Sequence, residues 1–352
     1  MKQVREHIEL GDWPGRGEGV RIAVLGSGVD FDHPDLRGRV NRELSTSCCS
    51  SPDLTDHHGL GTHMVGIIAG TGAASEGVYQ GLAPESELIV VKISSTDRGP
   101  EGNAIKGVEL ALDAGAEIIC YGFGHSPRAH IGEPPWVWPE STCLLEEAFA
   151  HAVERGVLCI VAAGDEGPAG GTITRPGGLP SVLTVGAASG VYGAWHDSGR
   201  GPYYRSKGLR PGGVVRQEHN PDLPLLRTNK PDVVMPSVPI TAPRSSFLPA
   251  DEFEDPRYVK MAGTAQAAAV AAGVAACLLG VAKREGIDLG PDPGKTAHAL
   301  ICHSGRELEQ GGATDFGRGI VLWPVLESAL RDYGRDPEFK DQLLRSPGLQ
   351  LL

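Results

Sequence analysis

Proton transfer near neutral pH needs an imidazole or a tuned carboxylate close to the reacting group. Asp30 and Asp32, followed by the adjacent His57 and His58, are early residues of those types. The two histidines lie in the polar run Thr55-Asp56-His57-His58-Gly59 and read as solvated loop residues rather than a built base. Phosphate chemistry is suggested twice and then contradicted. Arg21 to Gly28 runs a strand into Gly26-x-Gly28, as a dinucleotide-binding unit does, but Phe31 replaces the third glycine and Asp32-His33-Pro34 stands where the helix should begin. Gly290-Pro291-Asp292-Pro293-Gly294-Lys295-Thr296 imitates a phosphate loop, yet it is one residue short and follows no buried strand. A proline at a helix start explains it better. Cys48 and Cys49 form an adjacent thiol pair and read as loop thiols.

The elements that must position these residues alternate short apolar runs with amphipathic ones. That rhythm predicts an α/β protein with a mostly parallel central sheet and helices on both faces. The expected strands are 21–25, 88–93, 117–121, 157–162, 182–187 and 232–235, and the expected helices are 61–69, 103–114, 143–155, 263–284 and 294–302. Leu158-Cys159-Ile160-Val161-Ala162 has no polar side, as a central strand should not. A site belongs at the carboxyl ends of such strands. The stretches 203–229 and 242–258 read as long surface loops. Residues 1–20 read as an N-terminal extension, 21–330 as one domain, and 331–352 as a tail with a short helix and a Pro-Gly break.

Three segments give these elements a frame. They are Val24-Leu25-Gly26-Ser27-Gly28-Val29-Asp30, Gly59-Leu60-Gly61-Thr62-His63-Met64-Val65-Gly66 and Met261-Ala262-Gly263-Thr264-Ala265-Gln266-Ala267. In order and spacing they resemble the Asp, His and Ser blocks of the subtilisin-like serine proteases, the subtilases. Further blocks follow the same order: His33-Pro34-Asp35-Leu36, Gly81-Leu82-Ala83-Pro84, Ala162-Ala163-Gly164-Asp165-Glu166-Gly167 and Lys230-Pro231-Asp232-Val233-Val234-Met235-Pro236. The resemblance covers roughly residues 20 to 325 and implies a three-layer subtilisin-like fold.

The same resemblance implies that the chemistry has gone. Gly26, Leu60 and Ala265 stand where the family has aspartate, histidine and serine. A serine hydroxyl attacks only with an adjacent imidazole, a carboxylate to orient that imidazole, and donors for the oxyanion. Asp165 matches the oxyanion-hole asparagine, and an ionised carboxylate accepts hydrogen bonds but donates none. Thr264, the nearest hydroxyl, is expected to turn inward. Leu60 is expected to lean into the space that Gly26 leaves, replacing a buried polar pair by apolar packing. Gln266, Ala269 and Val270 also depart from the family's run after the serine, so the change reads as natural.

A peptide groove is what the family resemblance leaves. Subtilases pair substrate backbone with two edges. Here Gly122, Phe123 and Gly124 fall on one edge, Gly102 near the other, and Ala163 and Gly164 beside them. The expected role is a pseudoprotease that binds a peptide or protein, with an active paralogue as one possible partner. The alternative is a working hydrolase with a substitute site. Asp35 matches a calcium ligand of the family, but 72–80 is too short for the usual calcium loop, so neither metal nor cofactor is assigned.

Composition narrows the partners. The 352 residues carry 32 Lys plus Arg against 44 Asp plus Glu, a formal charge of −12, with no basic run to follow a phosphate backbone. Nucleic acid is therefore not expected. Residues 261–282 are uncharged and as long as a membrane span, but they are alanine-rich and coincide with the family's nucleophile helix, so a core helix is expected and no membrane partner. Seven scattered cysteines and a polar start without an apolar leader favour the cytoplasm.

Overall fold

The computed structural model describes residues 1–345 apart from 12–14, 97–99, 127–131, 133, 140–142, 191, 208, 210–212, 217–221, 223, 238 and 250–254. Its main sheet is built from β1 (Arg21–Gly26), β2 (Thr46–Ser47), β3 (Glu87–Lys92), β4 (Ile118–Tyr121), β5 (Leu158–Ala162), β6 (Leu183–Ser189), β7 (Gly193–Ala194), β8 (Val233–Pro236), β9 (Gly305–Arg306) and β10 (Ile320–Val321). The order across it is β9-β10-β8-β6-β5-β4-β1-β3-β2, with β7 added to β6. Every pairing from β10 through β2 is parallel, and only β7 and β9 run against their neighbours. The apolar runs read from the sequence are thus the central strands, and the mostly parallel sheet is present.

The helices are α1 (Lys2–His7), α2 (Leu60–Ala69), α3 (Glu101–Asp113), α4 (Leu144–Glu154), α5 (Thr264–Glu285), α6 (Pro293–His303), α7 (Ala313–Phe316), α8 (Trp323–Arg335) and α9 (Pro337–Leu344). Successive residues of a strand face opposite ways, which sorts the layers. Ile22 and Val24 share a core with residues of α2 and α5, whereas Ala23 and Leu25 share one with residues of α3 and α4. Helix α5 is buried from Thr264 to Ala282. Among the described residues it alone is long and apolar enough to cross a membrane, and here it lies inside the protein.

Two stretches expected as loops contain strands. Tyr203–Ser206, Val215–Arg216 and Leu226–Thr228 join Trp136–Pro139 in a separate four-stranded sheet. Ile240–Pro243 pairs antiparallel with Tyr258–Met261 and makes a hairpin across the second stretch. These strands are short, and Pro and Arg interrupt their alternation, so no period of two was readable. The N-terminal extension is part of the same body: Val4 and Ile8 are buried in the main core, and the Trp323 amide donates to the Ile8 carbonyl at 2.8 Å. The tail carries α9, while the Pro-Gly break lies outside the described residues.

Candidate functional site

The three matched positions stand at element ends on the carboxyl edge of the sheet. Gly26 closes β1, Leu60 opens α2, and Ala265 is the second residue of α5. The corner between β1 and α2 is held by one buried carboxylate. Asp56 Oδ1 accepts from the Ser27 hydroxyl at 2.8 Å and from the amides of Gly59 at 2.7 Å and His58 at 3.1 Å. Its Oδ2 accepts from the amide and hydroxyl of Thr62 at 2.8 and 2.7 Å, and Ser27 Oγ accepts from the Gly61 amide at 2.9 Å. A carboxylate at a helix start satisfies amides that have no partner within the helix. Gly59 initiates that turn at φ 90°, a left-handed conformation that favours glycine.

No Leu60 atom lies within 4 Å of where a Gly26 β-carbon would be. A β-carbon built on Gly26 would have only Gly61 Cα at 3.4 Å and Val24 Cγ1 at 3.8 Å within 4 Å. Leu60 is half-buried and packs instead against the cores on both faces of the sheet. The side chain beside Ala265 comes from the next turn of the helix: a β-carbon on Gly122 would meet Met64 Sδ at 2.6 Å and Ala265 Cβ at 3.2 Å. The methionine thioether therefore occupies the junction of β4, α2 and α5, a soft side chain well suited to an irregular gap.

Asp165 turns toward the start of α5. Its Oδ1 accepts from the Thr264 amide and hydroxyl, each at 2.8 Å, and the Gly164 amide donates to Thr264 Oγ1 at 3.1 Å. Thr264 is thus turned inward, as expected. Gly263, at φ 149°, is flanked by Asp165 Oδ2 and Gln266 Oε1, at 3.0 and 2.9 Å from where its β-carbon would be. The residue Asp165 is exposed as a whole, yet its carboxyl lies against the helix. Desolvation there raises its pKa, with Asp197 and Glu166 adding to the rise and the Thr264 hydrogen bonds opposing it.

None of the other sequence candidates assembles a replacement. The Asp30 carboxylate accepts from the amides of Asp32 at 3.0 Å and Ser246 at 2.8 Å. Asp32 is exposed, 3.9 Å from Arg42. His57 is exposed with Asp53 at 3.6 Å, and its ring meets Phe247 edge-on at 5.5 Å. His58 is half-buried and its Nδ1 has no partner. Both oxygens of Asp35 are engaged, by the Ala74 amide at 2.8 Å and the Tyr258 hydroxyl at 2.7 Å.

A segment that sequence reasoning left as loop covers this corner. Ser245 Oγ donates to the Asp56 carbonyl at 2.6 Å, and a Leu248 methyl lies 2.5 Å from where a Gly59 β-carbon would be. Beneath it, His63 is fully buried, with Nε2 3.2 Å from the Ile240 carbonyl and 3.3 Å from that of Val259. His63 thereby ties α2 to both strands of the hairpin. Burial, opposed by those two carbonyls, lowers its pKa to about 4, so it is neutral near pH 7.

The groove candidates divide. Gly122, Phe123 and Gly124 form no hydrogen bond among the described residues, leaving amides and carbonyls free past the end of β4. Ala163 and Gly164 are spent: Ala163 donates to Val185 and accepts from Thr174, while Gly164 donates to Thr264 and accepts from Gly199. Gly102 sits in the first turn of α3 with nothing within 4 Å of a β-carbon, so that side is a helix start rather than an extended edge. Thr174, which the sequence reading did not single out, is wedged between the two segments. β-carbons on Gly124 and Gly164 would fall 2.1 and 2.6 Å from its Oγ1.

A parallel sheet between two helix layers, with its special positions at the carboxyl edge and a buried helix starting beside them, is the subtilisin-like fold. Among solved structures, a serine-to-alanine mutant of the protease domain of PatA superposes with a TM-score of 0.67 over 91% of this chain and 98% of that one, at 23% identity. The subtilase family model matches residues 17–319, and the chain belongs to that family. Curated relatives include serine protease AprX of Bacillus subtilis (strain 168), 31% identical over 291 residues, covering 78% of this chain and 59% of the relative. Another is the intracellular serine protease of Paenibacillus polymyxa, 33% identical over 179 residues, with 49% of this chain and 50% of the relative covered. The chain thus spans between half and three-fifths of these relatives' length.

Proposed function

We propose that this subtilase-fold chain is a non-catalytic module that holds an extended peptide or protein segment without cleaving it. The observation that carries the reading is the chemistry at the three matched positions. Gly26 offers a hydrogen atom, Leu60 an isobutyl group and Ala265 a methyl group, none of which moves a proton or attacks a carbonyl. Asp165 compounds this, because its carboxylate is committed to Thr264 and has no proton to donate to an oxyanion when ionised. The free backbone of Gly122, Phe123 and Gly124 supports retention of peptide binding, since unpaired strand edges recruit extended chains. A reducing cytoplasm suits the seven free thiols.

A fluorophosphonate probe tests the catalytic half. The expected outcome is no covalent label on the folded protein and no cleavage of casein, with an active subtilisin labelled in parallel. Label on the wild-type chain that native conditions permit and denaturation abolishes would overturn the proposal.

A further inference from the structure

At the opposite edge of the sheet, Asp232 immediately precedes β8 and faces α6, where His298 and Cys302 are one turn apart. A carboxylate oxygen, an imidazole nitrogen and a thiol sulfur from these residues lie within 4.8 Å of one another. We propose that Asp232, His298 and Cys302 bind a zinc(II) ion. The donor set selects the metal: oxygen, nitrogen and sulfur together suit zinc, whereas calcium and magnesium require mostly oxygen ligands. Spacing of four along a helix puts the imidazole and the sulfur on one face.

The three donor atoms, within 4.8 Å of one another, must draw together by up to roughly 1 to 1.5 Å to hold the ion. Ligands at about 2.0–2.3 Å in a tetrahedron stand about 3.3–3.6 Å apart, and His298 Nε2 is 3.9 Å from Asp232 Oδ2. His298 is buried and its pKa is lowered to about 4, chiefly by burial, so no proton competes for the imidazole near pH 7. The Cys302 thiol is held protonated by burial and by Asp232, so zinc binding there expels one proton. Asp232, 17% exposed, and Cys302, half-buried, are the two ligands that reach solvent.

Three cations oppose the ion: Lys230, which acts on both His298 and Cys302, Lys295 on His298 and Arg318 on Cys302. Lys230 is buried, and its ammonium donates to Asp232 Oδ2 at 2.7 Å, as does the Thr184 amide at 2.7 Å. Both hold Oδ2, the oxygen 3.9 Å from His298, whereas Oδ1 has no hydrogen bond among the described residues and is the oxygen open to an ion. The lysine therefore orients the carboxylate in the way an outer-shell partner does, while its charge weakens the site relative to one lacking it.

Cobalt(II) titration of the full chain tests this. The expected result is a one-to-one complex with a near-ultraviolet thiolate charge-transfer band and tetrahedral visible bands, displaced by zinc with release of one proton. Cys302→Ser, close to isosteric, should remove the charge-transfer band and lower zinc affinity about tenfold or more with unchanged circular dichroism, and His298→Gln should weaken zinc similarly. Absence of the band, or a band that survives Cys302→Ser and vanishes in Cys48→Ser/Cys49→Ser, would overturn the assignment.

Discussion

Acidification should destabilise this protein through His63. The imidazole is fully buried; its Nε2 faces two carbonyls and its Nδ1 has no partner, so a proton there would place a charge where nothing accepts it. In the unfolded chain the group titrates near 6.5, and in the folded protein near 4. Above pH 6.5 both states are neutral and the residue contributes no pH dependence. Between 6.5 and 4 the unfolded state alone takes up the proton, so stability falls as pH falls, and below 4 the dependence levels off. At about 1.36 kcal/mol per pH unit, that interval is worth about 3 kcal/mol, of which about 2 are lost by pH 5. The assay is urea unfolding from pH 7.5 to 4.5 on wild type and His63→Gln, whose amide can reach the same carbonyls. Each protein is referred to its own stability at pH 7.5, so the cost of the substitution cancels. Wild type should lose about 2 kcal/mol more than His63→Gln by pH 5. Equal losses in the two proteins would refute the reasoning.

The site positions make further predictions, each readable by chemical denaturation. Gly26→Ala should change stability by no more than about 0.5 kcal/mol, because its β-carbon meets nothing closer than 3.4 Å, whereas Leu60→Ala should cost about 1–2 kcal/mol for contacts with both cores. Gly124→Ala should cost about 1–3 kcal/mol, since its β-carbon would lie 2.1 Å from Thr174 Oγ1. A Thr174→Ala background should recover much of that loss. Gly102→Ala, in the first turn of α3 with no atom within 4 Å, should stabilise by up to about 1 kcal/mol.

What the sequence disclosed follows from how local each signal is. Leu158 to Ala162 must be a central strand because no polar side is available, and it is. Tyr203–Ser206 and Ile240–Pro243 were hidden because strands this short pair through partners distant in the chain. The identities of Gly26, Leu60, Ala265 and Asp165 were legible, since blocks of flanking residues frame them. Their surroundings were not. Met64 beside Ala265, Thr174 between Gly124 and Gly164, and Leu248 over Gly59 are tertiary contacts, and a glycine in a sequence does not say which side chain has claimed its missing β-carbon. The packing expected of Leu60 against Gly26 is a contact of the same tertiary kind, and no Leu60 atom lies within 4 Å of a β-carbon on Gly26. Neither His298 nor Cys302 was singled out in the sequence, because only the fold brings Asp232 to them.

Helix α5 has no solvent-facing side over most of its length. It therefore cannot take its place until the sheet on one side and α2 on the other have formed, and strands β1 through β8 all precede it in the chain. During synthesis on the ribosome, the apolar surfaces of those strands wait for a filler that emerges after all of them, and the filler itself is uncharged from Thr264 to Ala282. Parallel strands that close only through distant contacts fold slowly. Chains of this size expose such apolar surface transiently as they fold, so aggregation is expected to compete during biogenesis rather than in the finished structure.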